Sequence, residues 1–165
     1  MKGIGIGESD FKMLRIKDYY FIDKSLFIKD VIDNSNKVTL ITRPRRFGKT
    51  LNMSMLRYFL DCTQKDSKEL FEGLKIMEQG EEYTSKLGTY PCIYLTLKDV
   101  RGDNVEEMMM ALQTELIELF IDHIYLLKSD KIEDIEKEMF NNILNLKANK
   151  IEIQNSIKLL SRFTK

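Results

Sequence analysis

Apolar positions recur at helical spacing through most of the chain, and in two short stretches they run together instead. Ser9 or Asp10 is placed to cap a short helix through Phe11 and Leu14. Tyr19-Tyr20-Phe21-Ile22 reads as a brief strand. Asp23 is then placed to cap a helix with Leu26, Phe27, Ile28, Val31 and Ile32 on its apolar side, and the turn cluster Asn34-Ser35-Asn36 stops it. Residues 37–42 (Lys-Val-Thr-Leu-Ile-Thr) are rich in β-branched side chains and short, which predicts a strand. After a loop, a helix from Thr50 to about Leu60 carries Leu51, Met55, Tyr58 and Phe59 on one side. A further short helix is expected at about 68–77, around Leu70, Phe71 and Leu74. A polar loop then reaches Pro91, and Cys92-Ile93-Tyr94-Leu95-Thr96-Leu97 reads as a second strand.

From residue 104 onward the pattern is helical. Asn104 is placed to cap a long helix in which Val105, Met108, Met109, Leu112, Leu116, Leu119, Phe120, Ile124 and Leu127 recur. Two more segments follow, 132–146 after Asp130 and 151–163 after Asn149. There is no internal repeat. The order β-α-β-α-α-α points to an α/β fold with a parallel sheet.

Composition narrows the classes. With 165 residues, 43% hydrophobic, 32% charged and 2 Pro, the chain is a globular domain and not a disordered or linker-rich one. Lys and Arg number 26, as do Asp and Glu, so the global charge does not support a duplex-DNA binder. Two Cys and one His cannot build a disulfide framework or a zinc set, and free thiols fit a reducing cytosol. The start, Met1-Lys2-Gly3-Ile4-Gly5-Ile6-Gly7, is too short and Gly-rich for a signal segment. The apolar stretch 116–127 is interrupted by Glu118, Asp122 and His123, so no membrane span is expected. The expected location is cytoplasmic.

The chemistry concentrates in Leu40-Ile41-Thr42-Arg43-Pro44-Arg45-Arg46-Phe47-Gly48-Lys49-Thr50. An apolar run enters a tight loop ending Gly-Lys-Thr, and a helix begins at once. This is the pattern of a phosphate cradle, in which loop and helix N-terminal N–H groups face an anion. Lys49 would reach the β- and γ-phosphates of ATP, and the Thr50 hydroxyl would ligate Mg²⁺. Gly48 lets the backbone approach the phosphates closely. The candidate nucleotide-binding set is therefore Arg45, Arg46, Phe47, Gly48, Lys49 and Thr50, with Thr50 as metal ligand. The first Gly of the P-loop pattern is replaced by Arg43. Pro44 favours extended geometry at that residue, so Arg43 need not adopt positive φ. Arg45 and Arg46 can equally serve phosphates, a partner chain or solvent.

Tyr20-Phe21-Ile22-Asp23-Lys24-Ser25 and the Arg-Pro-Arg-Arg-Phe-Gly-Lys-Thr-Leu core resemble the prokaryotic AAA-ATPase-like family. So do Tyr90-Pro91-Cys92-Ile93-Tyr94-Leu95, Asp99-Val100-Arg101-Gly102-Asp103 and Ser156-Ile157-Lys158-Leu159-Leu160-Ser161. The resemblance covers nearly the whole chain, and in that family Arg replaces the first P-loop Gly as it does here. It implies a P-loop NTPase-like parallel sheet with flanking helices and a helical C-terminal half. Residues 1–36 would be a lead-in, 37–103 the P-loop portion and 104–165 the helical portion. In the family, a segment like 156–161 is soon followed by an acidic-ended strand, Walker B, and often later by a PD-(D/E)XK nuclease-like domain. Neither lies within these residues. The expectation is thus an incomplete sheet in a truncated fragment, slow or absent hydrolysis, and a partner chain supplying the missing strands. Nucleic acid is an implied partner through the nuclease association alone. The competing reading is a non-enzymatic helical interaction module with a vestigial P-loop.

Other residues carry less. Asp99 follows the 92–97 run and imitates Walker B, but the family resemblance assigns it to an earlier strand. Gly3, Gly5 and Gly7 lack the preceding strand a dinucleotide site needs. Met108-Met109-Met110 and His123 read as structural, and Cys62 and Cys92 as packed thiols.

Overall fold

A computed structural model of the chain describes residues 2–34, 36–64 and 66–164. Among these residues there are seven α-helices, three 3-10 turns and no β-strand. The expected parallel sheet is absent, and the α/β assignment is corrected to a helical one. One isolated parallel bridge, Asp61 with Tyr90, is the β-pairing among the described residues. The reason lies in what β-propensity measures. It reports fit to a pleated, half-buried surface, and it has no force where no neighbouring strand offers one. Residues 37–42 form no strand, with Val38 84% and Leu40 83% exposed. The brief strand expected at 19–22 is likewise irregular, held by bonds from the Tyr19 N–H to the Leu14 carbonyl at 3.1 Å and from the Tyr20 N–H to the Gly3 carbonyl at 2.8 Å.

The chain divides into two compact units, Met1–Cys92 and Ile93–Lys165. In the first, α1 (Phe11–Ile16), α2 (Leu26–Asn34), α3 (Lys49–Leu60) and α4 (Glu81–Thr84) surround a core of Phe11, Ile28, Met55, Phe59, Phe71 and Ile76. Phe71 stacks at 5.0 Å on Phe11 and meets Phe59 edge-on at 5.1 Å. Each fully buried Phe contributes up to about 3 kcal/mol. Asp10, not Ser9, caps α1: its carboxylate accepts from the Met13 N–H at 2.9 Å. The helix expected at 68–77 is instead two 3-10 turns, Lys68–Phe71 and Lys75–Glu78, divided by Gly73 at φ 74°. A left-handed residue cannot continue a helix. Asp23 opens α2 by accepting from the Ser25 N–H at 2.8 Å, and its other oxygen accepts from the Lys75 N–H at 2.9 Å. At the turn expected to end α2, Ser35 lies outside the described residues.

The second unit packs α5 (Val105–Asp122), α6 (Asp134–Leu144) and α7 (Lys150–Phe163) around Leu116, Phe120, Phe140, Ile143 and Leu160. Phe120 and Phe140 lie 4.6 Å apart. Residues 93–97 form no regular element, and their alternate residues Ile93 and Leu95 pack against this core. That alternation explains the strand-like pattern without a sheet. Asn104 caps α5 through the Glu107 N–H at 2.9 Å, and Asn149 caps α7 through the N–H groups of Ile151 and Glu152. The long helix expected through Leu127 ends at Asp122, where the His123 N–H turns to the Phe120 carbonyl and a 3-10 turn, Ile124–Lys128, follows. The segment expected to open after Asp130 starts later, with Glu133 and Glu136 forming a capping box. Among the described residues no helix is long and apolar enough to cross a membrane.

Candidate functional site

Helix α3 is fixed at its middle and C-terminal half. Met55 and Phe59 are fully buried, and the buried Ser54 hydroxyl accepts the Phe11 N–H at 3.0 Å. This last bond, joining α3 to the start of α1, was not anticipated from sequence; a small polar residue amid apolar neighbours was its only signal. The N-terminal end of α3 and the loop before it therefore project from an anchored rod.

The loop makes two left-handed turns. Arg46 has φ 69° and Gly48 φ 74°, while Phe47 between them does not. Alternation of this kind directs successive N–H groups into one concavity, a geometry that suits anions. For Gly48 the conformation is free of cost; for Arg46 it costs on the order of 1 kcal/mol or more, the kind of strain that clusters at functional sites. Gly48 is also the N-cap of α3 and brings no side chain to satisfy the first N–H groups. The helices that begin at α5 and α7 have such an acceptor. The α3 N-terminus thus keeps its donors and its positive dipole end for something else.

Lys49, the first residue of α3, folds back over the loop. Its ammonium donates to the carbonyl oxygens of Arg43 at 2.5 Å and Pro44 at 2.9 Å, closing residues 43–49 into a ring. Arg43 itself donates to the Thr42 carbonyl at 3.2 Å. Arg45, Arg46, Phe47 and Thr50 are exposed, Phe47 by 57%. Between Lys37 and Leu60 the chain carries six basic residues and no acidic one. Among the described residues no carboxylate pairs with Arg43, Arg45, Arg46 or Lys49. The structure thus brings the whole predicted set, Arg45 through Thr50, onto one loop and helix start. Among the described residues there is no sheet behind it.

A family model described as "Predicted AAA-ATPase" matches residues 4–160. The chain belongs to the AAA-ATPase-like family. No curated protein and no solved structure matches it. In this AAA-ATPase-like chain the matched stretch covers most of each unit and the entire 43–50 loop.

The remaining candidates lie elsewhere. Asp99 is an exposed loop residue. His123 is buried at the end of α5. The Cys62 N–H donates to the Tyr90 carbonyl at 2.8 Å beside the Asp61–Tyr90 bridge. Burial, with Asp61 and Cys62 nearby, pushes the Cys92 thiol up to about 12, so it stays protonated and a poor nucleophile at neutral pH. Among the described residues no group of three His, Cys, Asp or Glu is arranged to hold a metal ion.

Proposed function

We propose that the 43–50 loop of this AAA-ATPase-like chain binds the phosphate groups of a nucleoside triphosphate, ATP in the first instance. The observation that carries this reading is the Lys49 ammonium held over a loop whose Arg46 and Gly48 are both left-handed, at a helix start with no side-chain cap. In this reading the loop N–H groups and Lys49 hold the β- and γ-phosphates, with Arg45 and Arg46 beside them. Thr50, exposed in the first turn of α3, offers its hydroxyl to Mg²⁺ bound on those phosphates. Bound Mg²⁺ would add charge neutralisation across the phosphate oxygens. Phosphoryl transfer needs in addition a residue that orients water, and Asp99 on its exposed loop is not assigned that role. Binding without appreciable turnover is the function proposed for these residues.

The helical fold favours one competing reading, an interaction module whose phosphate loop is vestigial. A thermal-shift series separates the two. Stabilisation that grows with ATP concentration follows from binding to the folded state. A melting temperature indifferent to ATP at millimolar concentration supports the vestigial loop.

A further inference from the structure

We propose that a cavity between α1, the C-terminal half of α3 and the turns that follow it binds a small free α-amino acid with a polar side chain. The cavity measures about 160 Å³ and belongs to the first unit. Lys12, Tyr58, Thr63, Gln64, Asp66 and Ser67 stand in its wall. It is separate from the 43–50 loop, which lies at the other end of α3, a helix of 12 residues and about 18 Å.

Ser67 is the residue that points to a ligand. The Gln64 N–H donates to the Asp61 carbonyl at 3.0 Å and the Ser67 N–H to the Gln64 carbonyl at 3.1 Å, which turns the chain after α3 and fixes Ser67 in the cavity wall. A serine just before a helical turn ordinarily lends its hydroxyl to a backbone N–H of that turn, and Ser67 does not. It is 3% exposed, and its Oγ has no hydrogen-bond partner among the described residues. A buried hydroxyl in that condition is uncommon and costly, which argues for a polar group that enters the cavity. The charges in the wall say what else that molecule carries. Lys12 and Asp66 are of opposite sign, and neither belongs to an ion pair among the described residues. A simple anion would meet the Asp66 carboxylate and a simple cation the Lys12 ammonium, whereas a zwitterion satisfies both. A free α-amino acid offers its carboxylate to Lys12, its ammonium to Asp66 and a short polar side chain to Ser67. Hydrogen bonds between ionised groups are the stronger kind. Thr63 and Gln64, joined by the Gln64 amide donating to the Thr63 Oγ1 at 3.3 Å, keep the wall polar.

The test is an amide-resolved NMR titration of the full chain with L-serine. Glycolate, ethanolamine and glycerol serve as controls that carry the carboxylate alone, the ammonium alone or neither. L-Serine is expected to bind saturably, to shift the amides of the wall residues, and to bind about tenfold or more tightly than any control. Lys12→Gln and Asp66→Asn, both at exposed positions, are each expected to weaken it about tenfold. Ser67→Ala is expected to weaken it as well, while its melting temperature stays at or above the native one, because the hydroxyl removed has no partner to lose. Absence of saturable shifts with L-serine means that water alone serves Ser67 and overturns the proposal. A control that binds as tightly as L-serine, or Lys12→Gln and Asp66→Asn chains that bind it as the native chain does, overturns it too.

Discussion

The Lys49 ammonium donates to the Arg43 carbonyl oxygen at 2.5 Å, across a separation of six residues. A cation at the first position of a helix opposes the helix dipole, and here it is held there by neutral carbonyls. An incoming phosphate offers a charged acceptor in place of those carbonyls, and hydrogen bonds between ionised groups are about twice as strong as neutral ones. On the proposed reading, the ring is a resting arrangement that a phosphate would displace, leaving the loop N–H groups to close on it.

The anchoring of α3 depends on Ser54. Ser54→Ala removes the acceptor of the buried Phe11 N–H, and that orphaned donor should cost about 1–3 kcal/mol. Urea denaturation should show a lower midpoint with an unchanged slope. A midpoint equal to the native one would mean that the Phe11 N–H finds another acceptor.

Gly102 lies against the start of α5. A Cβ there would come within 2.5 Å of the Glu107 Cβ and 2.7 Å of the Met108 backbone nitrogen. Gly102→Ala must displace the helix start that Asn104 caps, with an expected loss of about 1–3 kcal/mol. Thermal unfolding monitored by helical ellipticity would register it, whereas an unshifted transition would show that this turn yields freely.

Asp23 makes the stability pH-dependent. Partial burial pushes its carboxyl up, but the Lys75 and Ser25 N–H groups and the Ser25 hydroxyl pull further the other way, so it settles below the ordinary 3.8. A carboxylate with a depressed folded-state pKa contributes its full stability above its unfolded value. That contribution fades as pH falls through the folded one. Asp33 and Glu152, also held low by hydrogen bonds, behave the same way and remain in an Asp23→Asn variant. Denaturation midpoints measured from neutral pH down to about pH 2 should therefore fall less steeply for the variant. Parallel curves would remove Asp23 from the acid transition.

Local chemistry was legible in the sequence where a single residue type decides it. Asn104 and Asn149 cap because a short polar side chain before an apolar periodic run has few other uses. The helix expected from Thr50 was legible to within a residue, since α3 begins at Lys49, whereas the left-handed φ of Gly48 was not read from the sequence. The sheet was misread because residues 37–42 and 92–97 have the composition of strands, while pairing depends on a neighbour that composition cannot supply. Ile93 and Leu95 alternate because both pack on a helical core without belonging to a strand. The long helix was overrun at His123, since Ile124 and Leu127 keep helical spacing through a 3-10 turn. The basic character of the loop was masked by the chain's zero net charge, although no acid lies between Lys37 and Leu60.

Calorimetric titration of ATP with Mg²⁺ into the native chain and into Lys49→Ala tests the nucleotide site most directly. Lys49 lies at the first turn of α3 and away from both cores, so the variant should fold as the native chain does. The expected result is saturable native binding, with a loss of about 1.5–3 kcal/mol in the variant, the range for a hydrogen bond to a charged group. Equal affinity in the two proteins would contradict the assignment of the 43–50 loop as a nucleotide phosphate site.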